Sequence, residues 1–361
     1  MKHESVWSSH STGCGGRRLV RGLAVVASVT LAASCTSRQD DSQTEVREPS
    51  ANGVRLYVVD RYEGVFRLDP ATLGPLDTVD TGPRPHGVVA SPDGSTMYIT
   101  VETSGELLKV DVATDEIVDR VRVGNVPNEP TLSQDGKYAF VPLRAGDSVA
   151  VVDVYAMKVV KLLAAGRGEH NAYTSANGER VYVTSMGDSL ISVIDPVSME
   201  ILRKIPVGGI PRPVAITHDE SLAYLALSGL TGFVTLDLRT DEIVHKVELP
   251  QPPDTPVPPL DTYTHGMLLT PDEGELWVAA YATGKVYGFL VPDLTQLAEI
   301  PVGGGPHWFT LHPDGEPLYV SLERGGAVAA IHRGIREVIR RRKVGRAPTR
   351  ILAFRTSVDD R

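Results

Sequence analysis

TGPRPHGVVASPDG (81–94) sets a Gly/Pro loop, a short apolar strand and an Asp-Gly turn in succession. The same order returns in GNVPNEPTLSQDG (124–136) and VGGGPHWFTLHPDG (302–315). The turn glycines or their equivalents fall at Gly94, Gly136, Gly178, Glu220, Glu273 and Gly315, with successive spacings of 42, 42, 42, 53 and 42 residues. An aromatic column keeps the same spacings: Tyr98, Phe140, Tyr182, Tyr224, Trp277 and Tyr319, with Tyr57 ahead of them. A third column holds Asp69, Asp111, Asp153, Asp195 and Asp237, then lapses at Leu290 and His332. Three columns in register exclude coincidence, and self-similarity at such a period signals a repeat architecture.

Each unit carries four runs of strand length. In the second they are MYITVE (97–102), ELLKVDV (106–112), EIVDRVRV (116–123) and PTLS (130–133). Alternating apolar positions, β-branched residues and Gly/Pro/Asp-Gly punctuation favour strands throughout. Four strands in about 40–45 residues is the period of a propeller blade. Residues 53–357 therefore predict one all-β domain, a seven-bladed β-propeller with four-stranded blades. GVRLYVVD (53–60) opens the domain and RILAFRTS (350–357) ends it. The C-terminal strand is expected to complete the N-terminal blade, which removes exposed sheet edges. The Asp column sits at a strand end in repeat after repeat, so it reads as turn-building rather than as a carboxylate ring.

VYVTS (181–185), MYITV (97–101), LYVSL (318–322), SVIDP (192–196) and IPVGG (205–209) resemble the repeats of the YVTN-type (YncE-like) β-propeller family. The resemblance covers 53–357. It implies the fold, with PHGVVAS-type strands innermost and the C-terminal strand entering the N-terminal blade from inside, and leaves the function open, because that family mixes binding proteins, surface proteins and enzymes.

The ends of the chain carry a different message. Arg17, Arg18 and Arg21 precede the apolar run GLAVVASVTLAAS (22–34), which is too short to span a bilayer and reads as a signal peptide over residues 1–34. LAASC (31–35) resembles a bacterial lipobox, which implies lipidation of Cys35; Ala32 stands where that motif more often has Leu. An ordinary cleaved signal is the alternative. GGRRLVRG (15–22) lacks the flanking Ser and Phe of a twin-arginine signal, so the export route stays open. Residues 35–52 are polar and read as the lipidated Cys with a flexible tether, and 358–361 as a short tail. The expected location is outside the cytoplasm, on a membrane-anchored lipoprotein facing the periplasm or cell exterior, with contact to the membrane only through the anchor.

The whole chain of 361 residues has a formal charge of −9. Without residues 1–34, 32 basic residues face 44 acidic ones, which argues against a nucleic-acid partner. The one basic run, IREVIRRRKVGR (335–346), falls in a repeat strand and reads as an edge that discourages strand pairing or touches anionic lipid. Cys14 and Cys35 are the only cysteines, so no disulfide is expected in the mature protein. Nucleophile-elbow and phosphate-loop motifs are missing.

The position of His86, carried along by the repeat, gives His86, Asn128, His170, Arg212, His265, His307 and Thr349. Composition alone would place roughly 0.2 histidines in such a column. In a closed propeller these positions form a ring where the loops enter the central channel. Their neighbours add Glu129, Asn171, Trp308 and Arg350, and the loops after the aromatic column offer Arg61, Glu102, Arg144, Met186, Tyr281 and Glu323 on the same face. The fifth unit is longer by 11 residues, spent on LPQPPDTPVPPLDTYTHG (249–266), a stiff stretch expected to stand beside the ring as a partial lid. His218, His245, His312 and His332 read as surface residues.

Neutral imidazoles converging on one point would hold copper, zinc or iron, with His86, His170, His265 and His307 as the ligands. Asn128, Glu129, Arg212, Trp308 and Arg350 are the candidates for binding a small molecule. Arg212 argues against a full metal ring and suits a carboxylate or oxyanion instead. The alternative is a channel lined by imidazoles bonded to water and loop carbonyls. Nitrous oxide reductase and thiocyanate dehydrogenase place copper on the histidine-lined axis of such propellers, and cytochrome cd1 nitrite reductase holds its haem in a comparable place. This chain has four column histidines, no cupredoxin-like domain and no CxxCH motif, which leaves room only for a simpler mononuclear site. The function expected is an axial site for a metal or small ligand on a monomeric propeller. A non-catalytic scaffold for envelope proteins or glycans, and a metal-assisted lactonase/lyase-like enzyme or oxidoreductase, are the alternatives.

Overall fold

The computed structural model describes residues 53–251 and 263–357. The expected signal peptide (1–34), the expected lipidation site and tether (35–52), residues 252–262 of the Pro-rich stretch and the expected tail (358–361) lie outside the described residues. Among those described, every regular element is a strand, and the strands form seven four-stranded sheets. In each blade the strand after the Gly/Pro loop lies innermost and the polar, charged strand lies outermost. In the second blade, Thr96–Val101 is buried along its length while Glu116–Arg122 is largely exposed.

Closure follows the expected route. Pro348–Arg355 pairs antiparallel with Val54–Asp60, from Val54↔Arg355 to Val59↔Arg350, with a bulge before Asp60↔Pro348. Asp60 fastens the seam. Its buried carboxylate accepts the backbone N–H groups of Arg346 and Ala347 at 2.8 and 2.6 Å, and those of Tyr62 and Glu63 from its own side.

The core is divided among the seven blade interfaces, each with its own apolar cluster. Tyr57, Val59 and Val65 of blade 1 meet Met97, Ile99 and Leu108 of blade 2. The seam has a cluster of its own: Leu56, Val58 and Leu68 of blade 1 meet Tyr319, Val328 and Ala330 of blade 7. The aromatic column lies in these interfaces, and some of its hydroxyls join neighbouring blades. Tyr57 donates to Asp115 at 2.6 Å, and Tyr319 to the Pro70 carbonyl at 2.9 Å. The Asp column builds turns as expected; Asp111, Asp153, Asp195 and Asp237 each accept two backbone N–H groups just downstream.

The surface assignment of His312 is corrected. It is 1% exposed, its Nδ1 accepts the Asp314 N–H at 3.1 Å, and its ring lies against Tyr319. A turn-capping role draws this imidazole inward, where its tautomer is fixed by the backbone. The basic run forms the exposed outer strand Glu337–Lys343 of blade 7.

Candidate functional site at the channel axis

Bulges create the site. In blades 2, 4, 5 and 7 the inner strand slips against its neighbour between Pro85 and Val88, Glu169 and Ala172, Pro211 and Val214, and Pro306 and Trp308. A bulge takes residues out of the ladder and re-aims their side chains. His86, His170, Arg212 and His307 fall in these four bulges. Hydroxyls from the second strands satisfy the displaced backbone: Thr100 accepts the Gly87 N–H at 2.8 Å, Thr184 that of Asn171 at 3.1 Å and Ser321 that of Trp308 at 3.1 Å.

The structure brings the predicted ring residues together but not as one equidistant set. His265 and His307 stack with centroids 3.6 Å apart, and His86 meets His170 edge-on at 6.2 Å. Among the described residues no three His, Cys, Asp or Glu side chains are gathered as metal ligands. Two guanidiniums stand among them. Arg212 donates through Nε to Ser228 at 2.9 Å. Arg350, 1% exposed, lies with its Cζ 4.0 Å over the Trp308 ring. Its Nε donates to Glu129 at 2.5 Å. That ion pair runs from blade 1 to blade 3 past Gly87 of blade 2, where a Cβ would lie 2.7 Å from the Glu129 Cα. A buried, paired charge therefore links two blades that are not neighbours.

Backbone carbonyls orient two of the imidazoles, that of His307 for His265 and that of Thr349 for His307. The Nδ1 of His307 lies 2.7 Å from the Thr349 carbonyl, which can only accept, so Nδ1 carries the proton and Nε2 the lone pair. The nearby Arg350 Nη1, 3.3 Å from Nδ1, is a close approach rather than a donor to that nitrogen. His307 Nε2 faces Glu323 at 3.9 Å, beyond direct hydrogen-bond reach. Glu323 is itself held by the Tyr281 hydroxyl at 2.8 Å and Arg61 at 3.2 Å. Blade 2 repeats the arrangement more loosely: His86 Nε2 lies 4.0 Å from Glu102, which accepts from Arg84, Arg144 and Asn128.

All four imidazoles are driven well below the usual histidine range. Burial is the main cause for each; neighbouring guanidiniums add to it, Arg350 for His86 and Arg212 for His170 foremost among them. The rings are neutral at pH 7. Burial also raises Glu129, although its bond to Arg350 opposes the shift.

Several buried polar atoms around the axis lack a protein partner: Nδ1 of His86, His170 and His265, Oδ1 of Asn128 and Asn171, and Nη2 of Arg350. Loop-face positions Glu102, Glu323, Arg61, Arg144 and Tyr281 join the ring through the contacts above. Tyr173 was not signalled by the column; its hydroxyl accepts from Asn171 at 2.8 Å, two residues along the same strand. Glu169 was missed as well. It stands in a column otherwise filled by Pro85, Pro127, Pro211, Thr264, Pro306 and Pro348, and an acid among prolines was the available signal.

The fold matches solved propellers. A Kuenenia stuttgartiensis hydrazine synthase structure is similar at 20% identity and TM-score 0.67, over 76% of this chain and 96% of that one. The Pseudomonas aeruginosa periplasmic gluconolactonase PpgL is similar at 18% identity and TM-score 0.68, over 83% and 98%. A functionally unknown Desulfotomaculum acetoxidans protein is similar at 12% identity and TM-score 0.70, over 84% and 99%. At these identities the likeness concerns the fold alone. No curated protein matches the sequence. The model of the YncE-like β-propeller family matches residues 49–262. With its repeat columns, its seven blades and this match, the chain belongs to the YncE-like β-propeller family.

Proposed function

We propose that the axial site binds a small hydroxylated carboxylate. The observation that carries this reading is the inventory of unpartnered buried atoms: one guanidinium nitrogen, two amide oxygens and three neutral imidazole nitrogens. A carboxylate satisfies Arg350 Nη2. Hydroxyl groups, which both donate and accept, satisfy the amide oxygens and the imidazoles whichever tautomer those adopt. A bare anion would leave the amide oxygens unpaired, and an apolar ligand would leave all six so, at a cost typical of buried polar groups. Fixed cations beside two separate imidazole pairs favour an organic anion over copper, zinc or iron. The gluconolactonase among the similar folds points to the same ligand class.

The test is calorimetric titration of residues 36–361 with D-gluconate, D-glucitol and hexanoate. Glucitol keeps the hydroxyls without the carboxylate, and hexanoate the carboxylate without the hydroxyls. Gluconate should bind at least about tenfold more tightly than either, a difference of about 1.4 kcal/mol. Equal affinities would defeat the reading. Binding of none, with stoichiometric metal by elemental mass spectrometry, would favour the metal site. Neither metal nor ligand would favour a scaffold for envelope proteins or glycans.

We also propose that the protein works outside the cytoplasm, anchored through Cys35. The LAASC motif and the preceding basic and apolar segments support this. Metabolic labelling with an alkyne fatty acid should tag the wild type and spare Cys35→Ser.

A further inference from the structure

We propose that the axial site opens lactones of hydroxylated carboxylates, with His307 as the general base. This rests on the binding reading above and adds turnover to it. The Thr349 carbonyl takes the Nδ1 proton of His307 at 2.7 Å; His265 bonds a backbone carbonyl as well, that of His307, while Nδ1 of His86, His170 and His265 has no partner. The His307 imidazole is thus fixed in tautomer and direction, as a general base requires. The lone pair on Nε2 is not spent on Glu323, which lies 3.9 Å away and is already held by Tyr281 and Arg61. Burial, the His265 ring stacked at 3.6 Å and the closeness of Arg350 hold the ring neutral, which leaves a lone pair on Nε2. Arg350 Nη2, buried and unpartnered, is placed on the same side chain that touches His307 Nδ1 through Nη1.

The step balances without an oxidant or a metal. A water molecule gives a proton to His307 Nε2 as its oxygen bonds to the lactone carbonyl carbon. The carbonyl π electrons move to oxygen, and Arg350 Nη2–H stabilises the oxyanion. Collapse restores the carbonyl and breaks the ring C–O bond. The departing alkoxide takes the proton from Nε2, which returns the imidazole to its starting state. The product is an open hydroxy acid, the ligand class proposed above.

The experiment follows acid release from D-glucono-1,5-lactone at constant pH, as initial rates above the buffer blank. D-gluconate affinity is measured on the same preparations. Wild type should accelerate opening; His307→Gln should lose at least about a hundredfold in rate while gluconate affinity moves by less than about threefold. Exposed His218, outside the ring, supplies the control: His218→Gln should keep the wild-type rate. Gluconate binding without lactone opening by the wild type overturns the inference and leaves the binding reading standing. Lactone opening without gluconate binding does the reverse. A folded His307→Gln with the full rate removes His307 as the base; if that variant does not fold, His307→Asn is measured instead, and the wild-type rate alone still decides whether turnover occurs.

Discussion

Two columns of the same repeat behave in opposite ways. The aromatic column holds Tyr57, Tyr98, Phe140, Tyr182, Tyr224, Trp277 and Tyr319, one large ring per blade, each buried against the next blade. The channel column holds His86, Asn128, His170, Arg212, His265, His307 and Thr349. The first meets the same packing problem seven times and solves it with the same kind of side chain. The second shares only a backbone position, because each channel position meets a different set of neighbours and no single residue type suits them all. Uniformity marks what closes the ring, and variety within a repeat column marks where the repeat has been diverted to something other than folding.

Breaking the uniform column should cost most. Trp277 is fully buried between blades 6 and 7, and Trp277→Ala should lower the unfolding free energy by about 4 kcal/mol. Urea unfolding measures it, and a loss below about 1 kcal/mol would contradict the account of the interfaces. In the channel the cost should depend on charge rather than volume. Arg350→Met leaves Glu129 buried without its partner and should cost about 3 kcal/mol. Arg350→Met combined with Glu129→Gln removes the orphaned charge and should recover most of that loss. No recovery would show that Arg350 stabilises through its contact with Trp308 instead.

The same contrast explains what could be read from the chain. Blade count, closure and the Asp turns follow from periodic residues, whose roles repeat and so reinforce one another in the sequence. Ring membership of His86, His170, His265, His307, Arg212 and Arg350 was legible for the same reason, since position in the repeat fixes position around the axis. Direction was not legible. That His265 stacks on His307 while His86 meets His170 edge-on depends on bulges and on two carbonyls, those of His307 and Thr349. The Arg350–Glu129 pair skips a blade because Gly87 leaves room for it, a coincidence between distant repeats that no local pattern announces. His312 misled for a similar reason: a turn histidine is exposed by composition and buried by one cap.

Glu169 is where the proline column's irregularity should show in pH dependence. It stands where other blades place Pro or Thr, fully buried, with Ser185 donating to one oxygen at 2.7 Å and no partner on the other. Burial lifts its carboxyl from 4.5 to about 7; the Ser185 bond and Lys204 oppose this, while Asp188 and Asp147 add to it. The folded state therefore holds this proton more tightly than the unfolded chain. Its contribution is complete below pH 4.5, falls as pH rises through the interval to 7, and is gone above it. The shift sets an upper limit of about 3 kcal/mol on the loss. Urea unfolding at pH 4.5, 6 and 7.5 should show wild type losing stability across the series relative to Glu169→Gln, which cannot titrate there. Burial of Glu129 pushes in the same direction in both proteins and cancels in the comparison. Parallel curves would mean that the loop at Glu169 admits enough water to screen the carboxylate. The proline column would then owe its one acidic member to something other than a buried proton.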